Sequence, residues 1–277
     1  VVDDRQGHGG DRRSASGGSP RRGPRGERPG SWSGPGRARP VQPRNAPGQD
    51  VQGDRAPRDG PPIPAGVEAR QLAPEIRGEL STLDRATADA VARHLVAAGE
   101  LLDEDPHAAL AHARAARARA SRIAAVREAV GIAAYHCGDW AQALAELRAA
   151  RRMGSKSSLL ALIADCERGL GRPERAIDLA RGPEAAELAG DDADELRIVA
   201  AGARADLGQL EQALAVLSTP QPEPGRTGTT AARLFYAYAD TLLALGRNDE
   251  ALQWFLRSAT ADVDGVTDAE ERVSELG

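Results

Sequence analysis

The chain is 277 residues long with a formal net charge of −5, and its 41% apolar fraction is dominated by Ala, with aromatics only 3% of all residues. That balance argues against a sheet sandwich built on bulky β-branched cores and favours helices packed through small side chains. Two cysteines make no disulfide framework, and no run of eighteen apolar residues reads as a membrane span or signal peptide, so a reduced, cytoplasmic protein is expected.

Residues 1–64 differ from everything after them. They hold 13 Gly, 11 Pro and 12 Arg against 7 acids, a net of +5, with Trp32 as the one aromatic. So little apolar area cannot offset chain entropy, and a disordered tail is expected. Its stretch SPRRGPRGERPGSWSGPGRARP (19–40) is similar to the Arg-Gly-rich tails of RNA-associated proteins, which implies contact with phosphates. Arginine is used almost to the exclusion of lysine, Lys156 being the one exception, which points to a GC-rich genome. The single methionine is Met153, so the chain opens at Val1 either on an alternative start codon or by truncation.

Residues 65–277 carry a net of −10 and helical periodicity throughout. Self-similarity organises them. CGDWAQALAEL, LGRPERAIDLA, LGQLEQALAVL and LGRNDEALQWF each place an alanine five residues after a glycine. The glycines are Gly138, Gly171, Gly208 and Gly246; the alanines are Ala143, Ala176, Ala213 and Ala251. A degenerate earlier copy puts Ala109 in the alanine role and Glu104 where glycine would stand. Each glycine is expected to end a first helix, A, in a left-handed turn before a second helix, B. Asp139 should cap helix B of its repeat, and Trp140 should pack over that hairpin. Gly182-Pro183 should cut the third helix B short, and the loop 218–230 should delay the fifth repeat.

This pattern resembles the tetratricopeptide repeat, with Gly131, Ala164, Ala201 and Ala239 as the small helix-A residues and Leu147, Ala180, Leu217 and Phe255 four residues after the helix-B alanines. The family tryptophan near the start of helix A is absent from every copy. The resemblance implies an all-α right-handed superhelix of about five hairpins, near 90–122, 124–156, 157–190, 194–220 and 232–262. A polar capping helix is expected at 267–276, opened by a capping box at Thr267 and Glu270. The whole chain also looks like tail-plus-repeat proteins of actinobacteria.

The resemblance further implies a concave groove lined by helix A, which binds a protein or peptide partner. Its inward positions map to His94, Ala98 and Leu101; to Glu128, Ile132, Tyr135 and His136; and to Ala161, Asp165 and Arg168. Then come Glu195, Ile198 and Asp206, followed by Arg233, Tyr236, Asp240 and Leu243. The asparagine-bearing position of the family's carboxylate clamp holds Ala98, Ile132, Asp165, Gly202 and Asp240, which disfavours a chaperone-tail ligand. An acidic-leaning groove suits a basic or neutral peptide, the chain's own tail included.

Charge is also uneven. Residues 112–156 are net +6, and Arg114, Arg117, Arg119, Arg148, Arg151 and Arg152 are expected to merge into one basic patch that offers RNA a second grip. Residues 184–277 are net −11, so copies could associate head to tail. Catalysis has no comparable support. No histidine pair has ligand spacing, His136, Cys137 and Cys166 could approach one another but lack the fourth ligand a zinc site needs, and the chain has no nucleophile elbow or phosphate loop. No catalytic, cofactor or metal site is expected.

Overall fold

The computed structural model describes residues 60–155 and 157–277; the tail read over 1–64 lies almost wholly outside them. Among the described residues the only regular structure is helical, twelve α-helices and three short 3-10 turns. None of those helices is long and apolar enough to cross a membrane.

A short helix, α1 (Pro74–Glu79), precedes five antiparallel hairpins. They are α2 (Arg85–Glu100) with α3 (Pro106–Arg119), α4 (Ala124–His136) with α5 (Trp140–Arg152), and α6 (Leu160–Gly169) with α7 (Pro173–Ala180). Next come α8 (Gly190–Asp206) with α9 (Leu210–Leu217) and α10 (Thr229–Ala244) with α11 (Asn248–Ala261), and α12 (Ala269–Leu276) closes the chain. Each A helix packs on its own B helix, and each B helix packs on the A helix that follows.

The hairpin turns follow one chemical recipe. Gly138, Gly171, Gly208 and Gly246 have φ between +72° and +76°, the left-handed region where a Cβ is strained. The next residue then donates its amide to the carbonyl five back: Asp139 to Ala134 at 2.9 Å, Arg172 to Glu167 at 2.9 Å, Gln209 to Arg204 at 2.9 Å and Arg247 to Leu242 at 3.0 Å. These bonds satisfy carbonyls that the helix end would leave orphaned. Asp139 caps α5 by accepting from the Gln142 amide at 3.1 Å. The first hairpin, without the glycine, relies instead on the Asp105 carboxylate accepting from the Ala108 amide at 3.0 Å.

The alanines of the pattern, Ala109, Ala143, Ala176, Ala213 and Ala251, are fully buried. At Gly131 the crossing of α4 on α5 is so close that a Cβ would stand 2.7 Å from the Leu147 side chain and 3.1 Å from its amide nitrogen. Small residues thus set the spacing between A and B, while Leu147, Leu217 and Phe255 fill the layer beneath.

Three features lie outside the repeat pattern. Ile63, on the tail side of the boundary drawn at 64, packs with Val67 and Leu72 against Val91 and Leu95 of α2. The Glu79 carboxylate at the end of α1 accepts from the Ala125 amide at 3.1 Å, capping an α4 whose own N-cap, Ile123, has no acceptor side chain. The capping box expected at Thr267 does not form: α12 starts at Ala269, and the Thr267 amide and hydroxyl both donate to the Asp262 carboxylate, at 2.7 and 2.6 Å. Asp262, also accepting from Val266, holds the turn into α12 more fully than a single cap could.

Candidate functional site

The A-helix face is built by side chains that reach from one hairpin to the next. From α4, the Tyr135 hydroxyl donates to Asp165 of α6. Arg168, one turn on, donates to Asp165 at 2.7 Å and to Asp206 of α8 at 2.6 Å. Farther along, Arg233 of α10 meets Glu195 of α8 at 3.1 Å, and Arg272 of α12 approaches Asp240 at 3.7 Å. The Tyr135 ring is fixed edge-on against Trp140, 5.2 Å between centroids, and Trp140 in turn lies where a side chain on Gly169 would have to go.

These contacts shift the ionisation of the groups that make them. Burial pushes the Asp206 and Glu195 carboxyls above the usual range, opposed by the guanidiniums of Arg168 and Arg233 respectively. Burial opposes the charge on Arg168 as well, and the flanking Asp165 and Asp206 carboxylates more than offset it, leaving the guanidinium firmly protonated. The face is therefore a pre-aligned row of hydrogen-bonding groups in which Asp165 and Asp206 share Arg168, Glu195 meets Arg233 and Asp240 meets Arg272, so its carboxylates still outnumber its guanidiniums.

Several mapped positions do not reach this face. His94 is buried, its Nδ1 3.0 Å from Nδ1 of His112, because α3 and the segment at Gly60 close over it. Ile198 and Tyr236 are buried too, Tyr236 edge-on to Phe255 at 5.2 Å with its phenol drawn toward Asp268. Glu128 binds the hydroxyls of Ser155 and Ser157 at 2.6 and 2.7 Å, which ties it to the loop before α6. Ile132 and Leu101 pack partly against the core of hairpins one to three, and Ala161 against that of hairpins three and four. His136 stands beside the Tyr135 ring, and Leu243 is part-buried at the other end.

The basic patch is organised by acids that charge counting along the chain passes over. Glu146 of α5, 5% exposed, is held by Arg117 of α3 at 2.9 Å and Arg127 of α4 at 2.8 Å. Glu167 of α6, wholly buried, is held by Arg148 of α5 at 2.7 Å, Arg172 at 3.3 Å and Arg175 of α7 at 4.0 Å. Arg114 binds Gln142, Arg119 donates to the Ala115 carbonyl at 3.0 Å, Arg151 pairs with Glu184, and Arg152 is exposed. Sequence reasoning missed Glu146 and Glu167. The available signal was a carboxylate lying inside the apolar stripe of each helix, where an unpaired charge would be costly.

The buried histidines carry a pH prediction. One Nδ1 can donate to the other only while the acceptor is neutral, and burial holds His112 below the ordinary imidazole range. The unfolded chain therefore binds the proton first, and stability falls as pH drops below about 6.5. A double variant, His94→Leu with His112→Leu, removes the pair without orphaning either partner. Calorimetry should show the wild-type Tm falling relative to this variant between about pH 7.5 and pH 5; parallel curves would contradict the assignment.

The cysteines are poorly set for nucleophilic work. Cys137 donates to the Pro106 carbonyl at 3.2 Å, burial raising its thiol, and burial drives the Cys166 thiol up to about 12. Among the described residues no three His, Cys, Asp or Glu side chains are grouped to hold a metal ion.

One solved structure similar to this chain is that of YrrB, described as a TPR protein with an unusual peptide-binding site: 20% identity over 66% of this chain and 91% of that one, with a TM-score of 0.41. No protein-family model matches the chain, and no curated protein does.

Proposed function

We propose that this chain is a non-enzymatic scaffold that binds a peptide or protein partner along the exposed side of its A helices. The observation that carries the reading is the row Tyr135–Asp165–Arg168–Asp206. It spans three successive hairpins and holds donors and acceptors in fixed orientation, so that little side-chain entropy is lost when a partner arrives. A partner with backbone amides and a mixed-charge surface suits this face, because its carboxylates are partly paired with arginines yet keep a small excess. The RNA reading draws on the basic patch and the tail. It is weakened on the patch side because Arg117 and Arg148 are committed to buried carboxylates.

Affinity capture with the full chain, with and without nuclease and with or without residues 1–59, separates the two. The scaffold reading expects a partner that survives nuclease and tail deletion and binds about tenfold more weakly to a Tyr135→Ala, Asp240→Lys variant. A partner lost on nuclease treatment or on tail deletion, with a steep salt dependence, would establish the nucleic-acid reading in its place.

A further inference from the structure

A second candidate site lies between the B helices α5 and α7, away from the row on the A helices. Helix α7 has 8 residues where α5 has 13. Gly182 and Pro183 end it, and the chain leaves in a 3-10 turn, Pro183–Glu187. The last turns that would have extended α7 over α6 are therefore missing, and a cleft of about 430 Å³ opens there. It is lined by the aliphatic Leu160 and Leu179 and by Arg148, Arg151 and Arg175.

Three arginines and three carboxylates, Glu167, Asp178 and Glu184, line the cleft, and the pairing among them is uneven. One buried carboxylate, Glu167, serves three arginines, Arg148, Arg172 and Arg175, whose side chains remain 42%, 47% and 63% exposed. Arg151 is met by Glu184, a carboxylate delivered from the 3-10 turn and itself 53% exposed. Glu184 thus stands at the cleft edge as a built-in example of what the site accepts. We propose that this cleft is a docking site for an acidic side chain of a partner peptide, flanked by an aliphatic residue, with the incoming carboxylate displacing Glu184 from Arg151.

The chemistry favours such a peptide over nucleic acid. Arginine forks match a planar carboxylate in paired hydrogen bonds, and the aliphatic lining takes the neighbouring side chain. No aromatic residue lines the cleft for base stacking. The site needs nothing from the A-helix face.

Selection of random displayed peptides on the full chain, followed by anisotropy with the winning peptide made synthetically, tests the proposal. Winners should place Asp or Glu beside Leu, Ile or Val. Arg175→Glu, at an exposed position, should weaken binding about tenfold or more. Glu184→Gln should tighten it severalfold by releasing Arg151, a gain that a merely structural role for these residues would not produce. Variants at Tyr135 and Asp240 should leave this affinity unchanged, which keeps the outcome separate from that of the scaffold reading. Winners without acids, an affinity unmoved by both cleft variants, or displacement of the peptide by a uridine oligomer whose own binding needs Arg175 would overturn the proposal.

Discussion

Replacing Phe255 with alanine is expected to cost about 3–5 kcal/mol of folding stability, seen as a lower urea midpoint at unchanged slope. Phe255 is fully buried, four residues after the invariantly placed Ala251 of its helix. Its ring stands edge-on to Tyr236 at 5.2 Å, and the Arg272 guanidinium of α12 lies 5.4 Å above it. One side chain therefore joins both helices of the fifth hairpin to the closing helix. Removing it opens a cavity in a place that three helices border and none can fill by sliding alone. A cost below about 1 kcal/mol would mean that the ring is not the centre of that junction.

The second large effect is expected where α4 crosses α5. Leu147→Ala should cost about 2–5 kcal/mol, because the side chain is wholly buried. Gly131→Ala should cost about 1–3 kcal/mol by overpacking, reduced by the up to about 1 kcal/mol that alanine gains over glycine inside a helix. The informative quantity is the double variant. A methyl at Gly131 would collide with the Leu147 side chain at 2.7 Å, so shortening Leu147 makes room for it. The pair should lose at least about 1 kcal/mol less than the two single losses combined, measured by urea unfolding of all four proteins. Additive costs would show that α4 and α5 do not meet closely at Gly131 and Leu147.

Which parts of this molecule could be read in advance follows from where the physical constraint sits. Gly138, Gly171, Gly208 and Gly246 were legible because a left-handed turn admits few other residues, and the constraint is local to a single position. The buried alanines were legible because helix crossing limits volume at one point per hairpin. His94 was misplaced because a repeat register describes a helix with repeats on both sides, whereas the first hairpin is covered by residues 60–72, which belong to no repeat. Tyr236 was misplaced at the other end for a like reason, since α12 sits beside it.

The arginines show the converse problem. Summed along the chain, residues 112–156 read as a basic surface. Folding sets Glu146 and Glu167 between neighbouring helices, and each carboxylate collects arginines from the helices packed against it. A charge count cannot anticipate this, because it depends on which helices touch. The same clusters join adjacent hairpins, so they act as lateral ties as well as surface charge. Their net worth depends on the balance between desolvating the acid and the attraction of its arginines.

The turns offer the most direct test of the central claim, that successive α-hairpins of similar build stack through one shared turn chemistry. Residue-resolved hydrogen exchange on the full chain reads it. The amides of Asp139, Arg172, Gln209 and Arg247 lie in surface turns, yet each is bonded to a carbonyl five residues back, so all four should exchange far more slowly than an open loop. Four slow amides at these positions, each between two protected helices, is the result expected. Exchange at the speed of unstructured peptide at these four positions, or one unbroken block of helix running through any of the glycines, would contradict the account.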